Sequence, residues 1–404
     1  MNLRVAVIGA GIGGLTAAAT LLSRGAAVEV YEQASELTEI GAGISLFANG
    51  QCVLDELGVL DGLGDIAGEP SNVVIRDGQS GSGIASHPLG QGGWYRAQTS
   101  FSYLGVHRAE LLERLAAAVD RRHVHLEHRL VGLDLTETDV ELRWEHGGAA
   151  RFDVVIGADG ARSTVRRWMY GDECAIYTGN SGFRGIIDAR SAPSLKNPGD
   201  LQFWVGRRAH LLHFPISPGG GRITFLAAVE EPAQWSSNDT WRVPTTTEEA
   251  LSYFEGWHPA VTEIIGSVPH SERWGLFRME PIPTWRRGRV VLLGDAAHTM
   301  LPHHGQGANL SIEDAYVLAR LLTAEGGDAI EDRLQQYELL RKRRTEKVQR
   351  ASWRANHLLH FPDGADIEER DTAFANIPDD VRWIHTYDAR IAAGESLVVP
   401  QEMD

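Results

Sequence analysis

The feature that most constrains this chain is a glycine-rich turn placed between a strand and a helix near its start. Residues 5–8, Val-Ala-Val-Ile, form an apolar run typical of a buried parallel strand. The next six residues are Gly9-Ala10-Gly11-Ile12-Gly13-Gly14, and the apolar positions that follow them recur with helical spacing. A glycine at position 25 ends the predicted helix, and a second apolar run, 28–31, leads to Glu32.

This order of strand, glycine turn, helix, strand and acid predicts a dinucleotide-binding unit. Gly9 permits a tight turn, Gly11 lets the backbone approach a pyrophosphate, and Gly14 lets the helix pack closely on the strand. The helix N-terminus offers N–H groups to phosphates, and Glu32 can accept hydrogen bonds from a ribose. A glycine turn followed by an ordinary surface glutamate is the alternative. The motif alone does not distinguish a flavin from a nicotinamide dinucleotide.

Composition excludes several classes of protein. The chain has 404 residues, of which 43% are hydrophobic, so it has enough apolar mass for a large core. Its 38 basic and 54 acidic residues give a net charge of −16, which argues against nucleic acid as a partner. Two cysteines, Cys52 and Cys174, are too few for a disulfide scaffold, and we interpret them as free thiols.

One uncharged stretch, residues 5–23, has the length of a membrane span or a signal peptide. The glycines inside it weaken both interpretations. We therefore expect a soluble cytoplasmic protein that does not insert into a membrane.

Two further motifs follow the same strand-to-turn pattern. The predicted buried strand 153–156, Asp-Val-Val-Ile, continues into Gly157-Ala158-Asp159-Gly160, with Ser163 and Arg166 in a predicted short helix. The run 289–293 continues into Gly294-Asp295-Ala296-Ala297-His298. Pro302, Gly305-Gln306-Gly307 and Asn309 come next, and residues from about 307 to 322 predict an amphipathic helix.

Together, the three motifs resemble those of the single-component FAD-dependent aromatic hydroxylases, the family of the para-hydroxybenzoate, salicylate and 6-hydroxynicotinate hydroxylases. The three motifs are spaced over about 300 residues, and the resemblance covers most of the chain but is weakest after about residue 330. It implies an α/β fold in which a Rossmann-like FAD-binding domain carries an inserted β-sheet substrate domain and a helical C-terminal region. It also implies that Asp295 binds the ribityl chain and that Asp159 contacts both FAD and the nicotinamide donor.

By the same resemblance, Arg108 reaches the FAD phosphates, Glu32 and Gln33 meet the ribose and adenine, and a backbone group at Leu130 meets the adenine. Ser45 replaces a histidine that some relatives carry, which leaves the substrate anchor open. The resemblance implies this full set of FAD-binding residues: Gly9, Gly11, Gly13, Gly14, Glu32, Gln33, Ser45, Arg108, Leu130, Asp159, Asp295, Gly305, Gly307 and Asn309.

Several of these residues also have ordinary structural interpretations. Asp295 follows a strand and could cap the next turn, as aspartates often do. Arg108 could form a surface ion pair, and Asp159-Gly160 is a common turn dipeptide. The joint order and spacing of the motifs, rather than any one residue, favours FAD.

The middle of the chain changes pattern and predicts a β-sheet that covers the substrate. Three apolar runs, 203–205, 210–214 and 223–229, are separated by turn residues rich in proline and glycine. We expect segments 76–100 and 176–275 to form the substrate domain. The FAD domain would then comprise 1–75, 101–175 and 276–330, and residues 331–404 would form the helical C-terminal region.

Hydroxylation of a phenolic ring requires a base, and histidine titrates in the appropriate range. His210 and His303 are similar in position to active-site histidines of the family, although a packed or solvent-facing histidine is the ordinary alternative for each. His213 has the opposite strand parity from His210, so the two side chains should lie on opposite faces. His298, His303, His304 and Glu313 lack the spacing of a metal site, and we expect no metal.

The C-terminal part contains a long predicted helix, 332–360, with eight basic residues. We interpret these residues as a solvated helix face rather than a nucleic-acid site. The last 40 residues either cover the core or contribute to a homodimer contact.

The resemblance implies a monooxygenase that consumes NADH or NADPH and hydroxylates a small aromatic acid, salicylate-like or hydroxynicotinate-like, through a flavin C4a-hydroperoxide. Molecular oxygen is the second substrate. Two alternatives remain open: an FAD-dependent epoxidase or hydroxylase of a larger natural product, and an FAD-binding redox protein without hydroxylation. The sequence does not determine the ring position attacked, the donor or the oligomeric state.

Overall fold

The computed structural model describes residues 3–37, 43–171, 175–231, 234–235, 241–270, 272–326, 329–360 and 367–395. The strands in this part of the chain are β1 (Arg4–Ile8), β2 (Ala27–Tyr31), β3 (Gly43–Leu46), β4 (Asn72–Asp77), β5 (Gly83–Pro88), β6 (Leu104–His107), β7 (Val124–His125), β8 (Leu130–Leu135), β9 (Val140–Trp144), β10 (Ala149–Phe152), β11 (Val154–Gly157), β12 (Ala175–Asp188), β13 (Leu201–Gly206), β14 (Ala209–Pro215), β15 (Arg222–Glu230), β16 (Arg242–Pro244), β17 (Glu272–Met279), β18 (Arg286–Arg287) and β19 (Val290–Leu292).

The helices are also numbered in chain order. They are α1 (Ile12–Ser23), α2 (Ala48–Glu56), α3 (Trp94–Gln98), α4 (Arg108–Val119), α5 (Thr164–Tyr170), α6 (Thr247–Ser252), α7 (Pro259–Gly266), α8 (Asp295–His298), α9 (Gly307–Leu322), α10 (Ile330–Leu359), α11 (Ile367–Ala375), α12 (Ile377–His385) and α13 (Ala389–Glu395). None of the helices in the described ranges is long and apolar enough to cross a membrane.

A six-stranded sheet in the order β18-β19-β11-β1-β2-β7 forms the first layer. All of its pairs are parallel except β18 with β19, and the strands β1, β11 and β19 are fully or almost fully apolar. Helices α1, α4 and α9 pack together against this sheet. This arrangement confirms the predicted Rossmann-like unit, and helix α1 is followed by Gly25 at φ +82°, as the sequence indicated.

An eight-stranded sheet in the order β16-β17-β12-β15-β14-β13-β4-β5 forms the second unit. It is antiparallel apart from the β13–β4 pair. The predicted substrate segments, 76–100 and 176–275, cover most of this sheet, which extends slightly beyond them because β4 begins at Asn72 and β17 ends at Met279. The division into domains remains a prediction, since contacts alone do not define separately folding units.

The two faces of this sheet pack against different partners. On the outer face, side chains such as Trp204, Leu211 and Phe225 form a core with helices α6 and α7. On the inner face, Phe214 and Val205 pack with β4 and with residues of the C-terminal helices. The inner face therefore points toward the six-stranded sheet, and the space between the two sheets is where a ligand can be enclosed.

The prediction that the basic residues of the long helix, α10, form a solvated face is partly wrong. Arg341 on α10 is fully buried and pairs with Glu313 (2.6 Å) and Asp314 (2.6 Å) of α9, while Arg344 reaches Glu313 at 2.7 Å. Burial would raise the pKa of Asp314, but Arg341 and His298 hold it below its ordinary value. The two acids are adjacent on α9 and the two arginines are one helical turn apart on α10, so ion pairs join the two helices.

We predict that Arg341→Met destabilises the protein because two buried carboxylates lose the arginine they share, which leaves Glu313 with Arg344 and Asp314 with His298. Breaking a buried pair on one side costs about 3–5 kcal/mol, which corresponds to a fall of about 5 °C in the melting temperature of a chain of this size. The control is Arg343→Met, because Arg343 is exposed two positions away on the same helix. Thermal unfolding followed by circular dichroism measures both variants, and equal melting temperatures would contradict the role given to Arg341.

His213 lies on the outer side of β14, opposite in parity to His210, as predicted. It pairs across the sheet with Gln202 and Phe225, it is fully buried, and neither ring nitrogen has a hydrogen-bond partner among the residues that the structure describes. Burial, assisted by the charge of Arg76, lowers the pKa of His213 from 6.5 to about 3. The unfolded chain therefore binds a proton below pH 6.5 that the folded chain excludes.

We predict that His213→Leu makes the protein less sensitive to acid. The wild type loses stability as the pH falls from 6.5 toward 3, because only the unfolded state gains the proton, and at pH 5 this loss is about 2 kcal/mol. The melting-temperature difference between pH 8 and pH 5 should shrink in the variant and stay unchanged in His357→Leu, an exposed control. An unchanged difference in His213→Leu would show that His213 does not titrate in this way.

Candidate active site

A cavity of about 920 Å³ lies between the six-stranded sheet and the inner face of the eight-stranded sheet. One end is lined by the turns that follow β1, β11 and β19, which include Gly11, Gly160 and Asp295. These turns meet at the carboxyl edge of the parallel strands, which is where ligands bind in open α/β sheets. The other end is lined mainly by aromatic and aliphatic side chains.

The glycine turn after β1 has the shape that the sequence predicted. Gly9 has φ +104°, and a Cβ atom there would lie 2.4 Å from the carbonyl oxygen of Ala158. A Cβ atom at Gly14 would lie 2.0 Å from the carbonyl oxygen of Gly9. At Gly13 a Cβ atom would lie 2.7 Å from Leu293, whereas at Gly11 it would meet no protein atom within 4 Å. Three glycines therefore permit close packing, and Gly11 leaves open space in the cavity wall.

None of the three residues predicted to hold an adenosine, Glu32, Gln33 and Leu130, lines the cavity, but Glu32 is hydrogen-bonded to the glycine turn. The Glu32 carboxylate accepts hydrogen bonds from the N–H groups of Ala10 and Ala34, each at 2.9 Å. The backbone N–H of His128 donates to the carbonyl of Glu32 at 2.8 Å, which brings the segment before Leu130 alongside. The side chain of Gln33 is exposed and that of Leu130 is buried. The predicted adenine contact at Leu130 would therefore involve its backbone.

Asp295 is an acid whose side chain is exposed, and it forms part of the cavity wall. It begins helix α8, it lines the cavity, and a Cβ atom at Gly307 would lie 3.8 Å from its Oδ1 atom. Desolvation by the surrounding protein raises the pKa of Asp295, and His298 and Arg108 oppose that rise. Arg108, at the start of α4, also lines the cavity. An acid that is exposed to a cavity is suited to accept hydrogen bonds from ligand hydroxyl groups.

Asp159 is oriented differently from Asp295. Its Oδ2 atom accepts hydrogen bonds from the N–H groups of Thr164 (2.7 Å) and Val165 (3.1 Å), so its carboxylate caps helix α5. The cavity is lined by its neighbours Ala158, Gly160 and Ala161 rather than by Asp159 itself. The predicted contact of Asp159 with FAD and the donor remains a prediction.

Arg166, which the sequence marked without a role, joins two of the motifs. Its guanidinium is fully buried and donates to the backbone carbonyls of Ala161 (2.5 Å) and Ala296 (2.9 Å). It thereby fixes the turn after β11 against helix α8.

Asn309 ties the Gly305–Gly307 loop to strand β3. Its Nδ2 atom donates to the carbonyls of Ser45 (2.9 Å) and Gly305 (3.0 Å), and its Oδ1 atom accepts from the N–H of Phe47 at 3.0 Å. Asn309 is fully buried and does not line the cavity, whereas Ser45 does. Gly305 takes the left-handed conformation at φ +62°, and helix α9 begins at Gly307, as the sequence indicated.

The far end of the cavity is an apolar wall built by alternate residues of the eight-stranded sheet. Phe203, Leu212 and Phe214 line it together with neighbours from β4 and β15. Trp204 and Trp257, by contrast, pack on the outer side of the sheet. The pleat explains this difference, because successive residues of a strand point to opposite faces.

The two predicted catalytic histidines lie together at the edge of this wall. His303 lines the cavity, and its Nε2 atom is 2.9 Å from Oδ1 of Asn356. His210 is 1% exposed and does not line the cavity, but its ring centroid is 5.2 Å from that of His303. Burial lowers the pKa of both, that of His303 to about 3, so both rings are neutral at ordinary pH.

The sequence did not identify the residues that close the cavity from the C-terminal side. Helices α11 and α12 contribute Phe374, Ile377, Val381, Trp383 and His385 to its wall. His385 stacks on Phe47 with ring centroids 4.3 Å apart. An apolar spacing was readable in this segment, but nothing in the sequence indicated which surface it covers. Helices α11 and α12 therefore cover the core, which is one of the two roles that the sequence left open for the last 40 residues.

The histidine-rich segment does not form a metal centre in the described part of the chain. His298 is bonded to Asp314 at 2.5 Å and His303 to Asn356, and no group of three or more His, Cys, Asp or Glu residues there is arranged to hold a metal ion. Cys52 is a buried free thiol, and Cys174 lies outside the described residues.

These features fit FAD. The open space at Gly11 and the N-terminus of α1 suit a pyrophosphate, Glu32 lies on the adenosine side, and Asp295 lies where the cavity continues toward the apolar wall.

Comparison with known proteins gives the same family. Residues 2–352 match the family model described as an FAD binding domain. The chain is 36% identical over 388 residues to the 3-amino-4-hydroxybenzoate 2-monooxygenase PtmB3 of Streptomyces platensis, covering 96% of each chain. It is 34% identical over 354 residues to the 6-hydroxynicotinate 3-monooxygenase of Bordetella bronchiseptica, covering 86% of this chain and 90% of the relative.

Solved structures agree. A salicylate hydroxylase substrate complex superposes with a TM-score of 0.84 at 28% identity, covering 100% of this chain and 99% of the other. Klebsiella pneumoniae HpxO, solved with FAD and uric acid, superposes with a TM-score of 0.79 at 27% identity, covering 98% and 97%. The chain therefore belongs to the FAD-dependent aromatic monooxygenases.

Proposed function

We propose that this protein hydroxylates a small aromatic acid bearing a ring hydroxyl group, with FAD as cofactor, NADH or NADPH as electron donor and molecular oxygen as co-substrate. The observation that carries the proposal is the single cavity that joins an FAD-type turn system to an apolar wall with a neutral histidine at its edge. The relatives named for 3-amino-4-hydroxybenzoate and 6-hydroxynicotinate support this substrate class.

FAD, when bound, supplies the redox chemistry that links the donor to oxygen. In the proposal, Glu32 and the Gly11 turn hold its adenosine and pyrophosphate, and Asp295 holds its ribityl chain. Helix α9, which begins at Gly307, directs its positive end toward the same region, where negative charge on the reduced cofactor is favoured.

The protein's own chemistry is the removal of the ring hydroxyl proton. A neutral imidazole accepts a proton, and His303 is the predicted catalytic histidine that lines the cavity. Deprotonation of the hydroxyl pushes electron density into the ring, which prepares it for attack on oxygen. The apolar wall around Phe203, Leu212 and Phe214 excludes water and holds the ring in place.

The negative charge of the protein is compatible with an anionic substrate because the cavity carries local positive charge. Lys347, Arg350 and Arg354 line the cavity from one side of helix α10, at spacings of three and four residues. Asp380 also lines it and offsets part of their charge. We propose that the three basic side chains attract the aromatic carboxylate from solvent.

We also propose a cytoplasmic location, because the nicotinamide donor is available there and a free thiol such as Cys52 is typical of a reducing compartment. The sequence leaves a homodimer contact open as one alternative, and light scattering of the purified protein measures the oligomeric state.

We predict that 3-amino-4-hydroxybenzoate, 6-hydroxynicotinate or 3-hydroxybenzoate stimulates NADH or NADPH oxidation by the FAD-loaded protein. His303→Ala and His210→Asn should lower kcat about 100-fold, as expected when a general base is lost. His213→Leu is the matched control, because it changes the same strand on its other face. Peroxide is measured alongside to separate hydroxylation from uncoupled oxidation.

Two results would count against this assignment. Lack of stimulation by every acid tested would contradict the substrate class, and wild-type kcat in both histidine variants would contradict the base.

We predict that Gly11→Val abolishes FAD binding without unfolding the protein. Gly11 has extended backbone geometry that valine adopts easily, and a Cβ atom there would meet no protein atom within 4 Å, so we expect the valine side chain to enter the space meant for the cofactor. Flavin absorbance per mole of purified protein measures occupancy. Gly64→Val is the control, since that glycine is exposed and also has open space around it. Normal flavin content in Gly11→Val would show that the pyrophosphate lies elsewhere.

A further inference from the structure

Arg344 on α10 is bonded at the same time to a buried carboxylate and to the end of another helix. Its Nε and Nη2 atoms donate to the two carboxylate oxygens of Glu313 on α9, at 2.7 Å and 2.8 Å. Nη2 also donates to the carbonyl of Ile384 at 2.9 Å, and Nη1 donates to that of Trp383 at 3.3 Å. These carbonyls lie in the last turn of α12, where a helix leaves its carbonyls without intrahelical partners. Arg344 therefore fixes the carboxyl end of α12 to α9.

Asn49, at the start of α2, extends this contact to the Gly305–Gly307 loop. Its Nδ2 atom donates to Oε1 of Glu313 at 2.5 Å and to Oε1 of Gln306 at 3.0 Å. Gln306 lies between the two loop glycines and directly precedes α9. Asn49, Gln306 and Glu313 are each at most 1% exposed, so water does not compete for these hydrogen bonds. We call the four residues Arg344, Glu313, Asn49 and Gln306 the Arg344 network.

The two ends of the Arg344 network face different parts of the cavity. Gly305 and Gly307 line it near Asp295, where the FAD site is expected. Trp383 and His385, at the carboxyl end of α12, line the wall that closes the cavity from the C-terminal side. The network therefore joins the FAD end of the cavity to a wall of its substrate end.

The amide groups of Asn49 and Gln306 depend on the network for their orientation. The remaining amide atoms, Oδ1 of Asn49 and Nε2 of Gln306, have no hydrogen-bond partner in the part of the chain that the structure describes. A buried amide that moves away from its partner finds no water to replace that partner, so the shift is costly. A displacement of Glu313 therefore also displaces Asn49, and with it the loop that contains Gln306.

We propose that Arg344 is a positioning residue that couples the binding of the aromatic acid to the binding of FAD. Arg344 does not line the cavity, so it acts through the residues that it holds. An acid that contacts Trp383 or His385 favours the position of α12 in which Arg344 bonds to Glu313. The same position holds Asn49 against the flavin loop, which favours bound FAD. The coupling rests on the proposed function for the identity of the acid, whereas its FAD end rests on the family alone.

The test measures the Kd of FAD for the FAD-loaded protein with and without bound acid. Flavin fluorescence reports release of FAD on dilution, and the change in flavin absorbance reports binding of 3-amino-4-hydroxybenzoate or 6-hydroxynicotinate. The acid should lower the Kd of FAD at least about 5-fold in the wild type, and FAD should lower the Kd of the acid by the same factor. The ratio of the two FAD Kd values is the readout, because a purely structural defect weakens binding without changing this ratio.

Asn49→Ala and Arg344→Lys interrupt the network at different points. Both should reduce the ratio to less than about 2-fold, because alanine has no amide and lysine lacks the fork that bonds to a carboxylate and two carbonyls. The double variant should show the same ratio as either single variant, since both changes interrupt one path. Arg343→Lys is the matched control, because Arg343 is the exposed neighbour on the same helix, and its ratio should equal that of the wild type.

The outcomes separate the coupling from the proposed function. A wild-type ratio in Asn49→Ala or Arg344→Lys would overturn the coupling, as would a wild-type protein that binds the acid with no change in the Kd of FAD. Asn49→Ala keeps the ion pair between Arg344 and Glu313, so it tests the coupling if Arg344→Lys folds poorly. Failure of every aromatic acid to bind the wild type would reject the proposed function and the coupling with it.

Discussion

The convergence of three parallel strands at one edge is the constraint on which the rest of this structure depends. Strands β1, β11 and β19 end side by side, and the backbone turns after them approach so closely that side chains do not fit at several positions. A Cβ atom at Gly9 would overlap the carbonyl of Ala158, and one at Gly13 would overlap Leu293. The same crowding leaves a backbone-lined recess at Gly11, so the packing requirement and the FAD site have one physical origin.

A second set of contacts holds the cavity's other walls against this edge. Helix α9 begins at Gly307 beside Asp295, and its acids Glu313 and Asp314 form ion pairs with arginines of α10. Helix α10 then carries the cavity-lining basic residues and, at its end, Asn356 and His360. The buried charges therefore position the histidine pair as well as the flavin side, because both depend on the placement of α10.

The parts that were predictable from sequence are those determined by local chemistry. The glycine turn, the strand before it and the start of α9 each follow from a short pattern, and each lies where it was expected. The orientation of Asp159 was not predictable, because a carboxylate after a strand can cap the next helix or face a ligand with the same sequence. The burial of Arg341 was missed for a related reason, since its partners lie 27 and 28 positions earlier in the chain.

The limit of prediction from sequence is clearer at the substrate end of the cavity. Strand parity separated His210 from His213, yet it could not show that His303 stands between His210 and the cavity, or that α12 supplies part of the wall. These relations depend on how distant segments pack.

Reaction in ¹⁸O₂ with FAD, NADH or NADPH and 3-amino-4-hydroxybenzoate or 6-hydroxynicotinate tests the central claim most directly. The account predicts one ¹⁸O atom in the hydroxylated ring of the product by mass spectrometry; oxygen derived from water, or no hydroxylated product from any such acid, would contradict it.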